Sequence, residues 1–239
     1  LIANAYNLGM LTERGQQILE AVVQGFIDTR EPVSSGWLYD QYEFGIKPAM
    51  IRLELDTLES EGYLEQPYHS AGRVPTDAGY ELFVRHILAA EAAAMRESVL
   101  RKLFARAAWD DLLGELSGEL GMLGVVVDLA HDAIHKAGLE ELVDRLDWND
   151  REGIRSVIRD FEAVDERASR AAEKFGPPAS SSGQAGPQVF IGKKSPVTKS
   201  EQLAVVGGNY TVGDATVSVF AIGPKCMDYK KAIRIFKNL

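Results

Sequence analysis

The sequence is short of several things that would assign it to a common class. It holds one cysteine, Cys226, in 239 residues. No disulfide can therefore close within the chain, which fits a reducing, cytoplasmic setting. No apolar run approaches the roughly 18 residues that a membrane span needs; the longest, residues 122–127, falls far short. The first ten residues open on Leu1 and lack the basic start and apolar core of a secretory signal. Positive charge is scarce where it would matter for nucleic acid. Residues 11–86 carry six Lys and Arg against thirteen Asp and Glu, a net of −7. Residues 87–187 carry twelve against nineteen, again −7, and residues 188–239 carry eight against three, a net of +5. An acidic N-terminal region argues against phosphate binding unless its few cations gather on one face.

What is present is an apolar fraction of 46% over a length that suits one to two domains with a real core. Thr12 can cap a helix whose apolar residues Ile18, Leu19, Val22, Val23, Phe26 and Ile27 recur about every four positions. Glu31-Pro32-Val33-Ser34 stops it and caps a short second helix over about 35–42, with Trp37 and Leu38 as core residues. Gly45 marks a turn. Pro48 opens a third helix with Ile51, Leu55 and Leu58 as its buried stripe and Gly62 as its end. A strand over 63–66, a turn over 67–72 and a second extended stretch at Arg73-Val74 make a small hairpin, and Pro75-Thr76-Asp77 starts another helix. Three compact helices followed by a hairpin is the layout of a winged helix, whose third helix enters the major groove.

From Thr76 to about Gly121 the pattern is helical and Ala-rich, as one long helix or two, and suits a connector that helps a dimer form. Leu100, Leu103, Phe104 and Leu112 are expected to pack against a sheet or a second subunit. Residues 139–175 read as two helices and 176–187 as a flexible, low-complexity loop. Beyond it the period changes to that of strands, at 189–191, 203–206, 209–212 and 216–222, with Gly207-Gly208 and Gly213-Asp214 as turns. A basic helix over 229–238 closes the chain. The expected class is α+β, with domains at 1–86 and 87–239.

Several of these residues are similar to a known family. Leu11-Thr12-Glu13-Arg14, Glu31-Pro32-Val33, Pro48-Ala49 with Ile51-Arg52, Leu64-Glu65-Gln66-Pro67 and the run Ser70-Ala71-Gly72-Arg73-Val74-Pro75-Thr76-Asp77 with Gly79-Tyr80 resemble the N-terminal domain of the HrcA repressors. Val189-Phe190-Ile191-Gly192, Ile222-Gly223-Pro224 and Met227-Asp228-Tyr229 resemble that family's C-terminal motifs. The resemblance implies a winged helix joined to a GAF-like domain, here shortened. It further implies a dimer that represses heat-shock chaperone operons from an inverted repeat called CIRCE, with the chaperonin GroEL as a partner. Two positions depart from the pattern. Gly36 stands where the family has Arg, and Leu53-Glu54 follows Arg52 where the family has Asn-Asp. Asn reads adenine through two hydrogen bonds and Leu does not.

The expected DNA-binding set is Lys47, Ala49, Met50 and Arg52 on the third helix and its start, with His69, Ser70 and Arg73 on the hairpin. Arg52 follows the buried Ile51 and so points outward, toward phosphate or guanine, or simply into solvent. Lys47, Arg52 and Arg73 together would make a small cationic face, weak enough to need two subunits. His131 and His135, four apart, would share one side of a helix, but no third metal ligand accompanies them. No metal, cofactor or enzymatic site is expected, because no nucleophile, base and orienting group recur at usable spacing. Cys226 reads as a packed thiol, and the basic tail as a solvated helix face. Two rival readings stand beside the repressor: a ligand-responsive regulator, favoured by a pocket beneath the C-terminal sheet, and a protein-interaction module that has lost DNA binding, favoured by the acidic N-terminal domain.

Overall fold

Each helix of the N-terminal unit begins where the sequence supplies a suitable first residue. A computed structural model describes residues 11–90, 99–146, 150–174 and 186–239, and the chain divides into two units, Leu1–Phe83 and Val84–Leu239. Helix α1 spans Glu13–Thr29, with the Thr12 hydroxyl accepting from the Gly15 amide at 3.0 Å. Ile18, Leu19, Val22 and Val23 are buried, whereas Phe26 and Ile27, near its exit, are half-buried. Helix α2 spans Ser35–Gln41 and is capped by Ser34, which accepts from the Trp37 amide at 3.1 Å. Leu38 enters the core, but Trp37 stays half-buried, its ring close against Gly25. Helix α3 spans Pro48–Ser60 with Pro in its first turn and no side-chain cap at Lys47. Its buried stripe is Ile51, Leu55 and Leu58, the spacing of one helix face.

Strand β1, Leu64–Glu65, pairs antiparallel with β2, Val74–Pro75. An isolated antiparallel bridge joins Arg73 to Val33, with amide-to-carbonyl bonds of 2.8 and 2.9 Å. This bridge ties the ladder to the segment between α1 and α2. It also explains Gly72: a Cβ there would lie 2.4 Å from the Val33 carbonyl oxygen, so no larger residue fits without moving backbone. Helix α4, Asp77–Ala90, follows at once. The Thr76 hydroxyl donates to the Gly62 carbonyl at 2.7 Å and accepts from the Gly79 amide at 3.2 Å, which fastens the start of α4 to the end of α3.

The second unit is α+β. Helices α5, Val99–Ala105, and α6, Trp109–Leu120, come first. Strands β3, Leu123–Asp128, and β4, Ala133–Ala137, follow. Then come α7, Leu139–Val143, α8, Arg151–Glu162, and α9, Val164–Lys174. Strands β5, Gln188–Ile191, β6, Leu203–Val212, and β7, Ala215–Pro224, lead to α10, Tyr229–Lys237. The five strands form one antiparallel sheet in the order β4-β3-β7-β6-β5, consistent with a GAF-like domain. Alternate residues serve opposite faces. Leu123, Val125, Val127, Phe220 and Ile222 pack with Leu142, Val157 and Ala168 from α7, α8 and α9. On the other face Tyr210 meets Phe104 of α5 and Phe236 of α10, and its hydroxyl donates to the Phe236 carbonyl at 2.9 Å.

Four expectations need correction. Gly207-Gly208 is not a turn but the middle of β6, in register with Phe220 and Val219. The glycine is needed for close approach, since a Cβ at Gly207 would sit 2.4 Å from the Phe220 ring. Residues 139–174 form three described helices rather than two. His131 lies in a turn and His135 on β4, so they share no helix face. Strands β3 and β4 were not expected at all: every residue of β3 is buried, which removes the alternation that marks a strand. Most of the loop expected at 176–187 and the middle of the Ala-rich stretch, 91–98, lie outside the described residues.

Candidate nucleic-acid interface

The residues expected to meet DNA lie on two neighbouring pieces of the N-terminal unit, the outer side of α3 and the loop between β1 and β2. Helix α3 turns Ile51, Leu55 and Leu58 inward. That leaves Ala49, Met50, Arg52 and Leu53 exposed along its first half, with Lys47 exposed at its start. Among the described residues no hydrogen bond or ion pair holds the side chain of Lys47 or Arg52. The loop leaves β1 at Gln66, whose side-chain amide donates to the Ala71 carbonyl at 2.9 Å. Its tip, Pro67 to Ser70, is exposed. Ser70 takes a left-handed conformation, φ 69°, and its hydroxyl donates to the His69 carbonyl. His69 and Ser70 are thus available at the tip.

Arg73 is placed differently from the sequence expectation. Its side chain is 13% exposed, and its guanidinium meets Asp56 at 2.8 Å and Glu59 at 2.9 Å, both on α3. It is therefore a clamp between the ladder and α3 and not a free cation at the tip. The residues that hold it there are spaced for the purpose: Asp56 and Glu59 are three apart and lie on the side of the helix that faces β2. This role was invisible in the sequence, because the partners sit seventeen and fourteen positions before Arg73.

The clamp bears on the charge problem. The unit is acidic, but each carboxylate of α3 has a cation beside it: Glu54 lies 4.0 Å from Arg14, and Asp56 and Glu59 share Arg73. What α3 then presents outward is Lys47 and Arg52. Between α3, the loop and the start of α2 lies a groove of about 350 Å³, lined by Ser34, Ser35, Arg52, Gln66, Ser70 and Arg73 among others. Of the residues predicted from sequence, Arg52, Ser70 and Arg73 line this groove, whereas Lys47, Ala49, Met50 and His69 do not.

Other candidate chemistry is weaker. His131 Nδ1 meets Asp128 at 2.8 Å and His135 Nδ1 meets Asp110 at 3.0 Å, so each histidine is occupied by its own carboxylate. Among the described residues no group of three or more His, Cys, Asp or Glu is arranged to hold a metal. Burial would raise the Asp128 carboxyl, but hydrogen bonds from the His131 side chain and amide and from Trp109 outweigh it and hold the group below the ordinary carboxylate range. The cavity beneath the sheet, lined by Leu123, Asp160, Phe161 and Thr198 among others, measures about 10 Å³. That is space for about one water molecule and not for a metabolite. Among the described residues no helix is long and apolar enough to cross a membrane.

Comparison with known proteins defines the class from the C-terminal unit. A family model described as the HrcA protein C-terminal domain matches residues 83–233. The chain belongs to the HrcA family. The heat-inducible transcription repressor HrcA of Streptomyces avermitilis is 49% identical over 75 residues, covering 31% of this chain and 22% of that protein. The repressor of the same name from Carboxydothermus hydrogenoformans is 38% identical over 118 residues, covering 49% of this chain and 33% of that protein. The chain thus spans between about a fifth and a third of the length of these relatives. A solved structure described as a hypothetical protein is similar over 95% of both chains, with a TM-score of 0.74 at 19% identity, which is a likeness of fold.

Proposed function

We propose that this chain is a transcription repressor that binds duplex DNA through its N-terminal unit. In this reading α1, α2, α3 and the β1–β2 ladder are a winged helix. Helix α3 enters the major groove, and the loop at His69 and Ser70 reaches the adjacent backbone or minor groove. The observation that carries the reading is the exposed start of α3. Lys47 and Arg52 stand free there, while the acidic residues of the same helix lie against Arg14 and Arg73.

Lys47 and Arg52 take phosphate or guanine, and Ala49 and Met50 touch base edges. Arg73 contributes by holding the loop against α3 and offsetting part of the negative charge of Asp56 and Glu59 beside the duplex. Two cations per subunit give weak binding alone, so the operator is an inverted repeat taken by a homodimer, with half-sites a helical turn or a multiple of it apart. The names of the relatives support heat-inducible repression, and family resemblance supports chaperone operons as targets and chaperonin GroEL as a partner. A ligand-responsive mechanism gains nothing from the 10 Å³ cavity beneath the sheet.

Selection of bound duplexes from a random pool tests the reading. A palindromic motif is expected, and Arg52→Ala should weaken its binding by about tenfold at fixed salt, the scale of one charge-assisted contact. Retention of no sequence would overturn DNA binding and favour an interaction module. An unchanged titration with Arg52→Ala would overturn the assignment of that residue.

A further inference from the structure

Helix α3 has almost no hydrogen-bonding group left with which to read bases. Glu54 lies against Arg14, and Asp56 and Glu59 are held by Arg73. The Thr57 hydroxyl donates to the Leu53 carbonyl at 2.9 Å, and the Ser60 hydroxyl to the Thr57 carbonyl at 2.7 Å. Each of these polar side chains serves the protein's own structure. Arg52 alone on the helix, with Lys47 at its start, remains to donate outward.

Along the first half of α3 the rest of the outward surface is apolar, whereas Asp56, Thr57 and Ser60 are exposed farther along. Leu53 is 58% exposed and Met50 is 45% exposed, both high for large apolar side chains. Met50 and Leu53 are three apart, and Ala49 and Leu53 four apart, so the three are neighbours on one face, roughly opposite the buried stripe of Ile51, Leu55 and Leu58. Nothing in the N-terminal unit covers this face among the described residues. Lys47 and Arg52 border it, so its occupant is polyanionic at the edges and apolar between. A duplex major groove offers that combination where thymines stand: phosphates on both walls, and on the floor the C5-methyl group, the one apolar feature of a base edge.

We infer that Leu53 and Met50 select the operator by packing on thymine methyl groups, so that this chain reads part of its site by apolar contact and not by hydrogen bonds. The inference rests on the DNA-binding reading above and specifies what α3 recognises. Shape explains the choice. A helix presenting a Leu and a Met flank to the groove floor gains by excluding water from methyl groups, whereas beneath cytosine or adenine the same side chains would leave amino groups unpaired and desolvated.

The test uses the full chain and the duplex retained from a random pool, resynthesised with deoxyuridine in place of each thymine in turn. Uracil pairs as thymine does and lacks only the methyl group. At one or more thymines in each half-site, wild-type affinity by fluorescence anisotropy should fall about fourfold per methyl group removed from contact. L53A or M50A should bind the thymine and uracil duplexes alike at that position, with unchanged thermal unfolding because both side chains lie on the surface. Equal wild-type affinity for thymine and uracil at every position overturns the inference while leaving DNA binding intact. So does full discrimination retained by both variants. Failure to retain any duplex overturns the DNA-binding reading and this inference with it. The wild-type comparison needs no variant, so the outcome does not depend on how L53A or M50A folds.

Discussion

Arg73 sits between two carboxylates of α3, and that position determines how its removal should act. Arg73→Ala exposes Asp56 and Glu59 to the duplex without deleting a direct contact. Affinity should drop by about fivefold, the scale of a like-charge contact worth ~1 kcal/mol in water. Neutralising both acids in the same background, with Asp56→Asn and Glu59→Gln, should restore most of the loss in an anisotropy titration. A loss that persists in the triple variant would mean that the guanidinium itself touches DNA. Asp128 illustrates a different use of charge. Its folded-state pKa is depressed, so its contribution to stability is present above the unfolded value of about 3.9 and is lost as pH falls through the folded value. Asp128→Asn should cost about 1–2 kcal/mol at neutral pH. The gap from wild type should narrow in acid-titrated urea melts as the pH falls below the ordinary carboxylate range, and a gap that stays constant there would show that the carboxylate charge is not what matters.

At the scale of the element, the ladder of two-residue strands is too short to be held by its own pairing. It depends on the Val33–Arg73 bridge, which in turn depends on Gly72. Gly72→Ala should push the loop away from Val33 and cost about 1–3 kcal/mol in unfolding. DNA affinity should fall with it, because Arg73 leaves α3. Amide hydrogen exchange at Val33 and Arg73 would check the cause; protection there equal to wild type would sink it. Elements with strong local signals were legible: Thr12, Ser34 and Pro48 announced helix starts, and each does so in the structure. Elements defined by burial on both faces were not. Strand β3 has no polar face to betray its period, and Gly207 resembles turn chemistry although it lies in a strand beneath Phe220.

At the scale of the molecule, the net charge of −9 limits how the protein can hold a polyanion. With Lys47 and Arg52 as the outward cations of each α3, the proposed dimer would neutralise few phosphates. The slope of log affinity against log salt should be shallow, about −2 for one unit and about −4 for a pair. A slope near −8 would instead mean that cations other than Lys47 and Arg52 meet the phosphates. Sedimentation across a concentration series should show the dimer forming over the same range in which cooperative DNA binding sets in. A monomer that binds the palindrome with full affinity would refute the need for two subunits.

Read as a string of residues, the chain already specified its caps, the buried stripes of α1 and α3, the α+β class and the family motifs, because these depend on neighbours within a few positions. It also named the residues that gather around α3 and the β1–β2 loop. It did not reveal which of those residues remain free to act. Arg73 is bound and Arg52 is not, the polar groups of α3 are committed while Met50 and Leu53 stay bare, and β3 lies at the centre of a sheet. Each of these outcomes depends on which groups, distant along the chain, come to lie within a few ångströms of one another when the core closes, and short-range patterns carry no record of that.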